Sequence, residues 1–235
     1  MWNRAATQLA TAAVASGVLM AAYLLLRPYG DAHGGQDEVD AMASTLWVAA
    51  HVCGVLALAT FAWLVVRLSY LQEDWPGLVG RWSAQVGLVL MLPYYGAEAF
   101  ALHVVARHAA TAPDSMDLVE QIRNQPAAIT AFGTGLLLLA ASGICLALMW
   151  RSVASRKTAW AAAPLGVLMA LLLPQFFLPP AERMAYGVLF LAAGVGFALI
   201  VSSRRGKEPV AGREDATKAA PVVGAASSAR TSSDA

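Results

Sequence analysis

The chain has 235 residues, of which 58% are hydrophobic and 13% charged, with a formal net charge of +1. Because soluble domains carry about 25% charged residues, this composition excludes an ordinary soluble core and predicts membrane spans. The small net charge gives no electrostatic basis for nucleic-acid binding, so none is expected. The sequence contains no glycine-rich nucleotide fingerprint, no phosphate-binding loop and no Cys-x-x-Cys pair.

Six apolar runs, each long enough to cross a bilayer, follow one another along the first 202 residues. They predict an all-α, polytopic membrane protein in which residues 1–203 form one six-helix transmembrane domain. The first run is longer than the apolar region of about 7–15 residues in a signal peptide, so we interpret it as a span. The predicted spans are 5–26, 44–66, 84–106, 126–150, 157–178 and 183–202.

Three prolines lie inside these spans: Pro93 in the third, and Pro164 and Pro174 in the fifth. Each proline removes one backbone donor, which neighbouring helices in a membrane can compensate. We therefore expect a local bend at each position within an otherwise continuous span.

The distribution of basic residues predicts the orientation. If the N-terminus is cytoplasmic, the inner segments carry nine lysines and arginines near the membrane, and the outer segments carry four. Positive charge concentrates on the cytoplasmic side, so both termini are predicted to be cytoplasmic and the protein to lie in the cell membrane. The four outer basic residues are Arg27, Arg107, Arg123 and Arg183.

Two polar segments flank the predicted spans. Residues 204–235 are rich in alanine, serine, glycine and charge, which predicts a disordered cytoplasmic tail. The first outer loop, at 30–40, contains four acidic residues and His33 but lacks the spacing of a calcium loop. Its glycines favour mobility, so we interpret it as a solvated acidic loop that attracts cations weakly.

The third span carries groups that lipid does not tolerate, namely Tyr94, Tyr95, Glu98 and His103. An ionisable residue inside a span usually faces the protein interior or water, and it therefore marks a candidate site. Tyr94 and Tyr95 precede Glu98 by four and three residues, so either phenol can share its helix face.

A histidine in the second span reaches the same depth. His51 lies roughly 10 Å below the outer boundary of its span, and Glu98 roughly 12 Å below the boundary of the third span. A short inner loop joins the two spans, which predicts antiparallel neighbours. We therefore expect His51 and Glu98 to meet in an outward-facing polar pocket, with Tyr94 or Tyr95 completing the hydrogen bonds.

Two other interpretations of these residues stay open. His51 and Glu98 could simply join two helices by a hydrogen bond, a role worth about 0.6–2 kcal/mol. His103 lies nearer water than Glu98, which is typical of an interfacial residue. It could also be the second ligand of a b-type haem with His51, although their predicted depths differ by about 5–6 Å.

The sequence therefore leaves two classes of function, and it identifies no cofactor and no metal site. The first is a membrane protein whose ligand-binding residues are His51, Glu98, Tyr94, Tyr95 and His103. It would bind, transport or sense a small ligand or cation, or serve as an accessory subunit. The second is an intramembrane enzyme acting on a lipid or isoprenoid, with Glu98 as proton donor. Expected partners are the bilayer and, through faces of small residues, a homodimer or larger membrane complex.

Overall fold

The protein is described here from a computed structural model that covers residues 2–72 and 74–204. These residues form helices and connecting turns without any strand, and five helical stretches are long and apolar enough to cross a membrane. The chain is therefore a multi-pass membrane protein. The five stretches are α1 (Trp2–Leu26), α3 (Thr45–Ser69), α4 with its continuation (Trp75–His108), α7 (Pro126–Val153) and α10 (Pro180–Ser203).

Shorter helices connect the long ones. Between α1 and α3 lie a 3-10 turn, Gly30–Ala32, and helix α2, Gly35–Ala43. Between the third long helix and α7 lie a 3-10 turn, Pro113–Met116, and helix α6, Asp117–Arg123. The first outer loop, interpreted from the sequence as solvated and mobile, is thus mostly helical. The predicted tail, 204–235, lies outside the described residues except for Arg204.

Side chains at the helix starts satisfy backbone donors that have no partner within the helix. The hydroxyl of Ser44 accepts a hydrogen bond from the N–H of Trp47 at the start of α3. The carboxylate of Asp74 does the same for the N–H of Gly77 at the start of α4. Proline occupies the first turn of α4, α7 and α10, where its missing N–H costs nothing.

The third long helix is longer and less regular than its predicted span, 84–106. It starts at Trp75 as α4, which ends at Gly96, and continues through a π-helical segment, Ala97–Ala101, into α5, Leu102–His108. The segment begins four residues after Pro93, which lies inside α4. Single π turns widen a helix locally and are common at functional sites, and this one contains Glu98.

Glycines bring the helices of the bundle into backbone contact. A Cβ added at Gly17 would lie 3.0 Å from the Cα of Leu191, and one at Gly194 would lie 2.5 Å from the carbonyl oxygen of Ala13. These contacts make α1 and α10 antiparallel. Close approach of this kind needs small residues because lipid provides no hydrophobic force between helices.

The direction of each helix follows from such contacts. Gly80 of α4 packs against Cys145 near the end of α7, and the guanidinium of Arg204 donates to the carbonyl of Val153. The start of α1 and the ends of α7 and α10 therefore lie at one end of the bundle, here called the near end. The end of α1 and the starts of α3, α7 and α10 lie at the opposite end, here called the far end.

The fifth predicted span, 157–178, is not one continuous helix, so that prediction was wrong in detail. The stretch contains a 3-10 turn, helix α8 and a single-turn helix α9: Arg156–Thr158, Ala163–Ala170 and Leu172–Gln175. Pro164 lies in the first turn of α8, and Pro174 falls inside α9. The hydroxyl of Tyr186 in α10 donates to the carbonyl of Leu168 close to the break, which satisfies an acceptor there.

A separate small core organises the far end. Buried side chains of α2, α3, α5 and α6 pack together there, independently of the main core of the bundle: Met42, Trp47, Leu102, Ala106 and Val119. This far-end core fixes the short helix α6, which carries Arg123, against the ends of the long helices.

Two neighbouring glycines of α10 give a test of this packing. We expect Gly194→Ala to destabilise the bundle by about 1–3 kcal/mol, because the new methyl would overlap the backbone of Ala13. Gly196→Ala is the matched control, since a Cβ there meets nothing within 4 Å. It should leave stability unchanged or raise it by about 1 kcal/mol through helix propensity. Unfolding of both variants in detergent would measure the difference, and equal stabilities would contradict the close approach.

Candidate functional site

A cavity of about 270 Å³ lies at the far end of the bundle. Residues from nearly every long helix and from the short elements between them converge on it. Its charged and imidazole residues are Arg27, Asp31, His51, Glu98, Arg123 and Arg183. Its aromatic residues are Tyr23, Tyr94, Tyr95, Phe132 and Phe176.

Arg123 is the centre of the charge network around this cavity. Its Nε and Nη2 donate to the two carboxylate oxygens of Glu98, at 2.8 and 3.2 Å. Its Nη2 also lies 3.4 Å from Asp31, and its Nη1 lies 3.6 Å from Glu38. One guanidinium from α6 thus joins α2, the first 3-10 turn and the π-helical segment. The two-pronged contact with Glu98 is the geometry in which arginine binds carboxylates most strongly.

Arg27 is held on three sides. Its Nη2 donates to Asp31 at 2.5 Å, and its guanidinium carbon lies 4.9 and 4.8 Å from the ring centres of Tyr29 and Trp47. Stacking between two rings suits a planar, weakly hydrated cation. Only 7% of the residue is exposed. Its Nε and Nη1 are buried and have no hydrogen-bond partner in the part of the chain that is described.

Both arginines keep their charge in this setting. Burial alone lowers the pKa of Arg123, but hydrogen bonding to Glu98 and the charges of Glu98 and Asp31 outweigh it and raise the pKa. Burial likewise lowers the pKa of Arg27, and Tyr23 and Asp31 together raise it above its ordinary value. The cavity wall therefore carries fixed positive charges at physiological pH.

Arg183, at the start of α10, is bound differently from the other two arginines. Its guanidinium carbon lies 5.7 Å from the ring centre of Tyr29 and 5.6 Å from that of Phe176. Within residues 2–72 and 74–204 it forms no salt bridge, and its Nε is buried without a hydrogen-bond partner. Arg183 is therefore a cation of the wall that lies near two aromatic rings and has no acidic partner among the described residues.

His51 is oriented by its own helix. Its Nδ1 lies 2.7 Å from the carbonyl oxygen of Trp47, one turn earlier in α3. A carbonyl oxygen only accepts, so Nδ1 carries the hydrogen and Nε2 of the neutral ring is an acceptor. The ring also packs 4.5 Å from the indole of Trp47 and 5.6 Å from the phenol of Tyr23.

The predicted direct contact between His51 and Glu98 is not formed. Both line the cavity, but the carboxylate of Glu98 binds Arg123, and no hydrogen bond joins it to His51 among the described residues. Trp47 links them instead, because its indole N–H donates to the carbonyl of Glu98 at 2.7 Å. An arginine outcompetes a neutral imidazole for a carboxylate because it offers two parallel charged donors.

Of the other three predicted site residues, two lie at the cavity and one lies away from it. Tyr94 and Tyr95 line the cavity with Glu98 and His51, whereas His103 does not. The Nδ1 of His103 lies 2.8 Å from the carbonyl oxygen of Met42 and so joins α5 to α2. His103 therefore holds two helices of the far end together, as a structural residue.

Three aromatic residues form an apolar side of the cavity. The rings of Tyr94 and Phe132 stack with centres 4.3 Å apart, and Phe176 meets Phe132 edge-on at 5.7 Å. Together, Tyr94, Phe132 and Phe176 are called the aromatic wall below. The cavity thus combines a polar side rich in arginine with an apolar side.

Sequence reasoning missed the arginines of the site, although a signal for them was present. Only four basic residues flank the spans on the side that is poor in positive charge, and three of these, Arg27, Arg123 and Arg183, line the cavity. A basic residue on the side that carries few positive charges is therefore a candidate for pairing with an acidic residue or for binding a ligand.

Comparison with known proteins gives no further guide to the site. The sequence matches no protein-family model and no curated protein, and the fold matches no solved structure.

Removing one carboxylate tests the charge network. We expect Asp31→Asn to destabilise the protein by about 3 kcal/mol, because it leaves the buried guanidinium of Arg27 without its ion pair. Asp114→Asn is the control, since it removes the same charge from an exposed position on the same side of the bundle. Thermal unfolding in detergent would measure both, and equal effects of the two substitutions would contradict a structural role for the Arg27–Asp31 pair.

Proposed function

We propose that this protein is a membrane receptor or accessory subunit that binds a small polar ligand in the far-end cavity. The observation that carries the proposal is the set of buried, oriented polar groups around a cavity of about 270 Å³. Ligand sites typically combine apolar and aromatic walls with a few fixed polar groups. Arg27, His51 and Arg123 are such groups, and each is also held by a residue that does not line the cavity.

The proposed topology has six crossings of the cell membrane, with both termini in the cytoplasm. Helix α7 runs towards the near end, and α10 starts at the far end. Residues 154–179 must therefore traverse the bundle between them, so the interrupted helices α8 and α9 would form the sixth crossing. Irregular backbone is tolerated at membrane depth where protein covers it, as α7 and α10 do here. The excess of basic residues at the near end supports its cytoplasmic location.

Binding is favoured over transport by the packing beneath the cavity. Two turns further along α3 from His51, the bundle interior is filled by fully buried apolar side chains such as Leu58, Phe61 and Phe190. A transported polar ligand would need a polar route through this layer. The ligand is therefore proposed to enter and leave on the far side only.

The alternative of an intramembrane enzyme has less support. A general acid must have an oxygen available to carry a proton to its substrate. Both carboxylate oxygens of Glu98 already accept hydrogen bonds from Arg123. Glu98 is therefore proposed to position Arg123 at the cavity rather than to donate a proton.

The haem alternative is not proposed, because His51 lines the cavity and His103 is bound to Met42 away from it. Bis-histidine ligation needs both imidazoles to face one haem.

The bilayer is the proposed environment of the protein. Self-association through a face of small residues stays a prediction.

Cysteine labelling tests the sixth crossing. We expect Arg156→Cys and Glu182→Cys, each in a background without Cys53 and Cys145, to react with a membrane-impermeant maleimide from opposite sides of the membrane. Both positions are exposed, and they flank α8 and α9. Labelling of intact cells should modify the cysteine at position 182 and spare that at 156 until the membrane is opened. Labelling of both from the same side would contradict the topology.

Adjacent phenylalanines allow a matched test of ligand binding. Phe176 lines the cavity, whereas Phe177 is 82% exposed. Phe176→Trp should fill part of the cavity and reduce ligand retention by at least about tenfold, a loss of roughly 1.4 kcal/mol. Phe177→Trp should leave retention unchanged.

The measurement is mass spectrometry of small molecules extracted from the purified wild-type protein and both variants. At least one compound should be enriched in the wild type and in Phe177→Trp relative to Phe176→Trp. Should equal amounts of every compound be recovered from all three proteins, the proposal that this cavity holds a ligand would be wrong.

A further inference from the structure

We infer that the ligand of the far-end cavity carries an anionic group, a carboxylate or phosphate, which binds to Arg183 and Arg27. Its apolar part would lie against the aromatic wall. This inference rests on the proposed ligand-binding function and specifies the chemistry that the cavity recognises.

Both acidic side chains of the cavity already bind arginines. Both carboxylate oxygens of Glu98 bind Arg123. Asp31 shares one oxygen between Arg27 and Arg123. The two acidic side chains of the wall are therefore neutralised by arginines of the same wall, and they offer little attraction to a cation.

The donors of the cavity, in contrast, are in excess. Arg183 has no carboxylate partner in the described parts of the chain, and Nε and Nη1 of Arg27 are buried without an acceptor. A buried donor without a hydrogen bond costs about 1–3 kcal/mol, and more when it is charged. A ligand oxygen would remove part of this cost, so the structure favours an acceptor at this position.

The guanidinium groups also select the type of acceptor. Two N–H groups of an arginine lie parallel in one plane, which matches the paired oxygens of carboxylate and phosphate. Aromatic ring centres lie 4.8 and 4.9 Å from the guanidinium carbon of Arg27 and 5.6 and 5.7 Å from that of Arg183, and the N–H groups of the two arginines are the donors that would bind a ligand. Nε2 of the neutral His51 ring is an acceptor, so it would bind a donor of the ligand rather than its anionic oxygens.

The charges of the cavity wall argue against a cationic ligand. A cationic ligand would meet three arginines on the wall, and the only carboxylate oxygen there without a partner is Oδ1 of Asp31. The sequence had left cation binding open because acidic residues are concentrated in the outer segments. Of these residues, Asp31 and Glu38 pair with arginines in the folded chain, which leaves little attraction for a cation at the cavity.

The size of the cavity restricts the ligand further. Sites for drug-sized molecules span about 300–1,000 Å³, so a cavity of about 270 Å³ suits a small molecule or one headgroup. Phe132 and Phe176 provide a ring-sized apolar surface beside Arg183. The expected ligand is thus a small anionic amphiphile, which could come from solution or from the headgroup of an anionic lipid.

A series of benzene derivatives tests the inference. The probes are benzoate and phenyl phosphate as anions, benzamide as the neutral isostere of benzoate, and benzylamine as a cation. Binding is measured calorimetrically with the full-length protein in phosphatidylcholine nanodiscs. We expect the two anions to bind at least about tenfold more tightly than benzamide and benzylamine.

Two substitutions locate the binding. Arg183→Gln should weaken binding of both anions by at least about tenfold, since it removes the unpaired cation. Arg107→Gln is the control, because Arg107 is an exposed basic residue near the same end of the bundle and does not line the cavity. It should leave anion binding unchanged. The comparison of benzoate with benzamide needs no variant, so the test survives if Arg183→Gln fails to fold.

The outcomes separate this inference from the proposed function. If benzamide or benzylamine binds as tightly as the anions and Phe176→Trp blocks it, the cavity binds a ligand and the anionic inference is wrong. Anion binding that Arg183→Gln leaves intact also overturns the inference. If no probe binds and no compound co-purifies, the proposed function fails as well.

A second nanodisc composition identifies the source of the anion. Adding phosphatidylglycerol should displace benzoate if the natural ligand is a lipid headgroup, and native mass spectrometry should then retain that lipid on the wild type but not on Arg183→Gln. Undiminished benzoate binding would instead indicate a soluble acid. Both results support an anionic group at Arg183.

Discussion

The contact between Arg123 and three carboxylates holds the far end of this protein together. Glu98, Asp31 and Glu38 come from three different elements, and each lies within 3.6 Å of the same guanidinium. Because pairing stabilises charges near an apolar bundle, this contact fixes the π-helical segment, the first 3-10 turn and α2 together. Arg27 extends the network through Asp31 and reaches the cavity.

The helix packing explains why such a network can exist at the end of a membrane bundle. Glycines allow the backbones of α1 and α10 to touch, and the interior beneath the cavity is filled mainly by apolar side chains. The polar groups then collect at the far end, where the helices separate and short helices cover them. The interrupted segment that contains α8 and α9 contributes to this arrangement, since it delivers Phe176 to the aromatic wall.

The ligand preference proposed for the cavity comes from its excess of unpaired hydrogen-bond donors over acceptors rather than from its net charge. Its carboxylates are used internally to hold two arginines in place, while Arg183 lies near two aromatic rings and has no salt bridge among the described residues. Such preorganised donors reduce the entropy that a ligand must lose on binding. The aromatic wall adds apolar contact on the other side, so both halves of the site support the proposed recognition of a small anionic amphiphile.

The sequence by itself determined the helical class, the ends of four of the five long apolar helices within about three residues, and the polar character of the third span. These are local properties, because length, apolar composition and capping residues act within one helix. Only the tertiary structure decided that 157–178 is interrupted and that Glu98 binds Arg123 instead of His51. The reason is that side-chain pairing depends on helices far apart in the chain: Asp31 and Arg123, 92 residues apart, meet only when α1, α4 and α6 are packed together.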